Sequence, residues 1–182
     1  MKTESTVKYI LRLTFTLLLI CAVVAGILAA VNSITAPIIA ASKEAKTQAA
    51  IEAVLPGGGQ ETTFQDDTGL VTKAYAGENG YAIQVAPSGF GGAITMMVGI
   101  DKNGEVLGIS IISHAETPGL GAVASQDTDK GVAFRDQFVG MVSGITIGGG
   151  ENQVDSLSGA TISTQAIVDG VNAALDCAAN MG

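Results

Sequence analysis

The chain has 182 residues and a formal net charge of −8, enough for one ordinary domain plus an appendage, and its negative charge argues against nucleic acid as a partner. With two cysteines and one histidine, the chain lacks a disulfide framework, the four thiolates of an iron–sulfur cluster and any multi-histidine metal site. No metal ligand set is expected. Mean hydropathy is +0.42, and the excess is concentrated near the N-terminus.

There, "LTFTLLLICAVVAGILAAV" runs from Leu13 to Val31 without a charge. At 1.5 Å per residue these residues span roughly 28 Å, close to the roughly 30 Å hydrocarbon core of a bilayer. A cleaved signal peptide would also begin with positive charge, but its apolar core is shorter, about 7–15 residues. A retained membrane helix is therefore expected. Lys2, Lys8 and Arg12 precede it and the next basic residue is Lys43, which puts the N-terminus in the cytoplasm and the rest of the chain outside. Cys21 lies inside this span and Cys177 near the other terminus, so the two do not pair within one chain. From Asn32 onward, six basic residues face 16 acidic ones, a surface that anionic headgroups would repel.

Residues 43–55, "KEAKTQAAIEAVL", read as a helix stopped by Pro56 to Gly59. The period then changes. "GLVTKAYA" (69–76) and "GYAIQVAP" (80–87) are short β-branched and aromatic runs separated by "GEN", a hairpin pattern. "GGAITMMVGI" and "EVLGISIIS" flank "DKNG", where Asn103-Gly104 signals a two-residue hairpin. Four strands in two hairpins predict an antiparallel sheet. "DKGVAFRDQFVGM" (129–141) predicts a short helix pairing Phe134 with Phe138. "ISTQAIVDGVNAALDCA" (162–178) predicts a longer one, with Ile162, Ala166, Ile167, Ala174, Leu175 and Ala178 on its inward face. Strands first, with helices flanking them, give the α+β class: a single antiparallel-sheet domain with flanking helices, preceded by one N-terminal transmembrane helix. The expected divisions are a cytoplasmic stretch 1–12, a membrane helix 13–31, a helical linker 32–60 and an extracytoplasmic domain 61–182.

Two glycine-rich stretches mimic phosphate loops. "GLGAVA" (119–124) fits G-x-G-x-x-A, but no crossover helix and return strand follow it. "IGGGEN" (147–152) lacks the lysine and hydroxyl of a P-loop and reads as a turn. "DSLSGAT" (155–161) is different. It opens the last helix, and a cap accounts for a hydroxyl there. Capping leaves unexplained why Ser158, Gly159 and Ala160 are all small beside Asp155. Small residues let a bulky group approach the backbone, and a helix N-terminus favours a phosphate.

At this point the sequence resembles a known family. "DSLSGAT" matches the D-x-x-[S/T]-G-A-T signature of domains in which the last threonine carries flavin mononucleotide (FMN) through a phosphoester bond. "SHAETPGLGA" (113–122) resembles the family's E-T-P-G-L-G loop, and "GFGGAITMMVGIDKNGEVLGI" resembles the hairpin before it. The resemblance covers residues 43–178 and the N-terminal anchor, and is nearest to the G subunits of Rnf-type ion-translocating electron-transport complexes. The C subunits of sodium-translocating NADH:quinone reductases share the domain but are usually longer. After the motif this chain has "IST" where "ITS" is expected, which leaves Thr161 in place.

The resemblance implies an electron-carrying subunit with covalent FMN on Thr161 and no catalytic residue or substrate turnover of its own. Ser158, Gly159 and Ala160 would let the cofactor approach. Glu116, Thr117, Leu120 and Gly121 would form the wall against the isoalloxazine ring, with Glu116 setting its electrostatics. A separate flavin transferase using FAD and magnesium would attach the FMN, with Asp155 as a recognition residue. Other membrane subunits would hold the ferredoxin and NAD chemistry. Two further readings are a stand-alone extracytoplasmic flavoprotein and a membrane-anchored adhesin or scaffold in which the hydroxyl residues only cap a helix.

Overall fold

The computed structural model describes residues 3–181. The first helix, α1, runs without interruption from Thr3 to Val54. The separate helix expected at 43–55 is the end of this longer one. Pro37 lies inside it; a proline removes one ladder hydrogen bond, and the alanine-rich sequence on both sides sustains the helix across that gap. Large apolar side chains between Val7 and Ile39 are exposed all round, the distribution of a helix solvated by hydrocarbon. Within the described residues α1 is the one helix long and apolar enough to cross a membrane.

A compact unit begins at Lys46. Its centre is a five-stranded antiparallel sheet in the order β1-β2-β3-β4-β5: Gln60–Thr62, Val71–Ala76, Gly80–Val85, Thr95–Asp101 and Val106–Ser113. The four expected strands are present, joined by a short β1 that the sequence pattern did not reveal. Alternation sends neighbouring side chains to opposite faces. Ala74, Ile83, Met96 and Val98 pack with Ile167, Val171, Ala174 and Leu175 of the last helix, α3 (Thr161–Ala179). Tyr75, Ala82 and Met97 face the other way, against Ala50, Ile51, Val54 and Leu55 at the end of α1. Both faces of β4 are thus covered, which explains its unbroken apolar run.

The β4–β5 connection corrects one expectation. Asp101 N–H bonds the Glu105 carbonyl at 2.9 Å, enclosing three residues, Lys102 to Gly104, rather than two. A two-residue type I′ turn needs positive φ at both Asn103 and Gly104; only Gly104 has it, at +84°. The Asp101 carboxylate decides the geometry by accepting from the Glu105 and Asn103 N–H groups, each at 2.8 Å. The bond from Glu105 N–H holds the Asp101 carboxyl below its ordinary range. Because the folded value is the lower one, this turn's contribution is present above the ordinary carboxylate range and fades as pH falls through the lowered value.

Helix α2 (Asp129–Asp136) follows a short 3-10 turn, Gly121–Ser125. Phe134 and Phe138 meet edge to face with ring centroids 5.6 Å apart, as expected, but the helix ends at Asp136 rather than running to Met141, so Phe138 stands just beyond it. The Thr128 hydroxyl caps α2 by accepting from Gly131 N–H at 3.3 Å. Thr128→Ala is expected to destabilise the compact unit by about 1 kcal/mol, read as a lowered denaturation midpoint. A two-residue parallel pair, β6 (Thr146–Ile147) and β7 (Gln153–Val154), brackets the glycine-rich turn at 148–150. Ile162 does not join the inward face of α3. It is 57% exposed, because it stands in the first turn, beyond the stretch that crosses the sheet.

Candidate functional site

The pairing of Thr95 with Ser113 brings two connections to the same end of the sheet: the β3–β4 tip and the loop after β5. The N-terminus of α3 arrives at the same place. Together they enclose a cavity of about 380 Å³ lined by Glu116, Thr117, Leu120, Gly121, Gly159, Ala160 and Thr161, and also by Phe90, Ile162 and Ser163. This lies within the roughly 300–1,000 Å³ of small-molecule sites. Seven of the nine residues singled out in the sequence thus line one cavity. Ser158 and Asp155 do not line it, and both are exposed.

The start of α3 is built to leave amides available. Its cap position is Ala160, which has no side chain able to accept a hydrogen bond, so the hydroxyl cap considered from sequence is absent. A 19-residue helix therefore presents uncapped first-turn N–H groups and the positive end of its dipole. Gly159, with φ +72°, turns the chain into this helix in a conformation that disfavours a side chain.

Three hydroxyls stand on this turn, and their partners separate them. Thr164 is buried, donates to the Ala160 carbonyl at 3.0 Å and accepts from Leu157 N–H at 3.1 Å. Ser163 is buried and donates to the Glu116 carboxylate. Thr161 is exposed to the cavity, and among the described residues nothing hydrogen-bonds its hydroxyl. It is the hydroxyl free to carry a substituent.

Glu116 is only 6% exposed, so it is a buried carboxylate rather than a solvated one. One oxygen accepts from Ser163 and the other from Gly91 N–H at 2.9 Å. This side chain ties three segments: the β3–β4 tip, its own loop and α3. Its backbone is fixed as well. Glu116 N–H donates to His114 Nδ1 at 3.1 Å, so the proton of the neutral ring sits on Nε2, 2.8 Å from Ser125 Oγ. Ser125 in turn donates to the Ala122 carbonyl at 2.9 Å. Thr117 to Leu120 then forms a turn of the type II kind, which Pro and Gly at its centre favour, with Gly119 at φ +78° and Leu120 N–H bonded to the Thr117 carbonyl. A Cβ on Gly121 would stand 2.6 Å from Glu116 Oε2 and 2.9 Å from Ser163 Cβ, so that position must remain glycine for the brace to close.

The chemistry of this site is that of a binding pocket. Phe90, Leu120 and Ile162 supply apolar walls for a planar group, while uncapped amides and a free hydroxyl suit a phosphate. These residues fit FMN, which has both parts. Sequence reasoning missed Phe90, Ile162 and Ser163. An aromatic set among glycines in "GFGG" was the available signal for Phe90; Ser163 had none, since its partner is 47 positions away.

Comparison with known proteins agrees. Residues 89–176 match the FMN-binding domain family, and residues 1–54 match the RnfG N-terminal region. The G subunit of the proton-translocating ferredoxin:NAD(+) oxidoreductase complex of Clostridium ljungdahlii is 33% identical over 92% of this chain and 90% of the relative. The G subunit of the Na(+)-translocating ferredoxin:NAD(+) oxidoreductase complex of Acetobacterium woodii is 30% identical over 96% of this chain and 94% of its own. The G subunit of the ion-translocating oxidoreductase complex of Escherichia coli K12 is 29% identical over 92% and 90% respectively. With these matches and this cavity in one chain, the protein belongs to the family of G subunits of Rnf-type ion-translocating oxidoreductase complexes and contains its FMN-binding domain.

Proposed function

We propose that this chain is the electron-carrying flavoprotein subunit of a membrane-bound, ion-translocating ferredoxin:NAD oxidoreductase, with FMN joined through its phosphate to Thr161. The observation that carries the reading is the unengaged Thr161 hydroxyl, set in the cavity beside uncapped amides while its neighbours Ser163 and Thr164 are committed to internal bonds. Bound FMN supplies reversible uptake and release of electrons. The chain's own residues bind and orient it. First-turn N–H groups of α3 receive the phosphate, Leu120 covers a ring face, the Thr117 hydroxyl meets a polar edge, and Glu116 holds the walls in register. No side chain here acts as a general base. Attachment is the work of a separate flavin transferase using FAD and magnesium, for which exposed Asp155 is a recognition residue.

Residues 13–31 cross the membrane with 1–12 in the cytoplasm, and the domain beyond residue 60 lies outside, beside other members of the complex. An adhesin or scaffold reading leaves the free hydroxyl and the cavity without purpose. The test is purification of the tagged chain from membranes in mild detergent. The expected result is a chain that resists alkaline extraction, brings other membrane subunits with it and keeps its flavin through acid precipitation; protease added to right-side-out vesicles removes the domain. A flavin-free chain released by alkali, or a domain cleaved only from the cytoplasmic side, would contradict it.

A further inference from the structure

In the compact unit, Phe90 is the exposed large aromatic side chain, at 70%, whereas Phe134, Phe138 and Tyr75 are buried. Leaving a side chain of this size in water forfeits the stabilisation its burial would bring. Nothing in the core needs it. Its backbone, by contrast, is tightly held. Gly89 N–H bonds the Gly92 carbonyl at 2.8 Å, Ser88 bridges Ala93, and Gly91 N–H bonds Glu116. A Cβ on Gly89 would stand 2.7 Å from Ile94 Cδ1, and one on Gly91 would stand 2.7 Å from the Ala115 carbonyl carbon. The flanking glycines therefore allow the tip to seat directly on the 115–116 loop. The result is a fixed mount holding one aromatic ring at the wall of the cavity.

We infer that Phe90 is a cofactor-positioning residue whose ring lies against the isoalloxazine of FMN, opposite the wall made by Leu120. This rests on the FMN reading above and deepens it. Phosphate attachment at Thr161 fixes only one end of the cofactor, and the ring end needs its own contact to be held in one orientation. Offset aromatic stacking supplies it, beyond what the buried area alone gives. The Glu116 brace couples the two ends, because the same carboxylate bonds Gly91, next to Phe90, and Ser163, two residues after Thr161.

The chain contains no tryptophan, which makes an introduced indole a clean probe. Excited flavin is quenched by electron transfer from a tryptophan or tyrosine in contact with it. In the flavinylated full-length protein, Phe90→Trp is expected to lower flavin emission several-fold and shorten its lifetime, and Phe90→Tyr to do so as well. Val139→Trp, on an exposed side chain outside this cavity, is expected to leave emission unchanged. Intact mass separates stacking from attachment. If both Phe90 variants carry the FMN increment yet emit as the parent does, the stacking assignment is overturned while the FMN reading stands. If the parent carries no flavin, the FMN reading falls and this inference with it. A tyrosine differs from phenylalanine by one hydroxyl at an exposed position, so Phe90→Tyr keeps the test decisive even where the indole disturbs the tip.

Discussion

Thr161→Val is expected to yield a folded, membrane-bound chain with no covalent flavin. Valine keeps the β-branched shape and removes only the hydroxyl. Thr161 is exposed and its hydroxyl bonds nothing among the described residues, so the change in stability stays within about 0.5 kcal/mol. The effect on the cofactor is all or none, because no other hydroxyl on this turn is both free and in the cavity: Ser163 is bonded to Glu116, Thr164 to Ala160, and Ser158 lies outside the lining. Flavin fluorescence in a denaturing gel reads the outcome. Ser158→Ala serves as the control that retains the fluorescent band, and a band persisting in Thr161→Val would remove Thr161 from its role.

Glu116→Ala is expected to be the most damaging single change around the cavity. It strands Gly91 N–H and the Ser163 hydroxyl, both engaged by this carboxylate, and opens a void beside Gly121. Leaving buried polar groups unpaired costs about 1–3 kcal/mol each, so a loss of about 2–4 kcal/mol is predicted. Denaturant titration of the detergent-solubilised chain measures it. Glu116→Gln should keep most of the stability, since its amide oxygen can accept from Gly91 and its amide nitrogen can donate to Ser163 with the hydroxyl reversed. The same variant separates bracing from charge. A carboxylate beside the ring opposes adding negative charge to it, so its removal should raise the flavin midpoint potential by on the order of 30 mV, the equivalent of about 1.4 kcal/mol for two electrons. Equal stability for the Ala and Gln variants would refute the brace, and an unchanged potential in Glu116→Gln would confine the residue to a structural role.

The sheet was legible because each of β2 to β5 is long enough to display alternation and is bounded by glycine or asparagine turns. β1, β6 and β7 have three, two and two residues, too few for any period to register; their pairing is dictated by the elements around them. The helical linker expected after residue 31 is continuous with the membrane helix through Pro37, since one missing hydrogen bond does not outweigh the propensity of the alanines on both sides. Ile162 has the right spacing for the inward face but stands ahead of the part of α3 that crosses the sheet. For the site, the two motifs supply the parts, and folding supplies the relation between them. Nothing in a linear reading tells that Glu116 reaches Ser163 and Gly91, so that reading assigns the residue a charge facing the ring and leaves out its tie between two walls. Phe90 escapes a linear reading for the same reason: only the folded tip puts it at the cavity.

In the proposed function, one threonine hydroxyl at the head of α3 carries the flavin. Mass spectrometry of the native full-length chain, intact and then as peptides fragmented across residues 155–168, tests it most directly. The expected result is a mass increased by FMN less one water, with the increment confined to fragments that contain Thr161. An unmodified chain from cells that make the whole complex, or an adduct located on Ser158, Ser163 or Thr164, would contradict it.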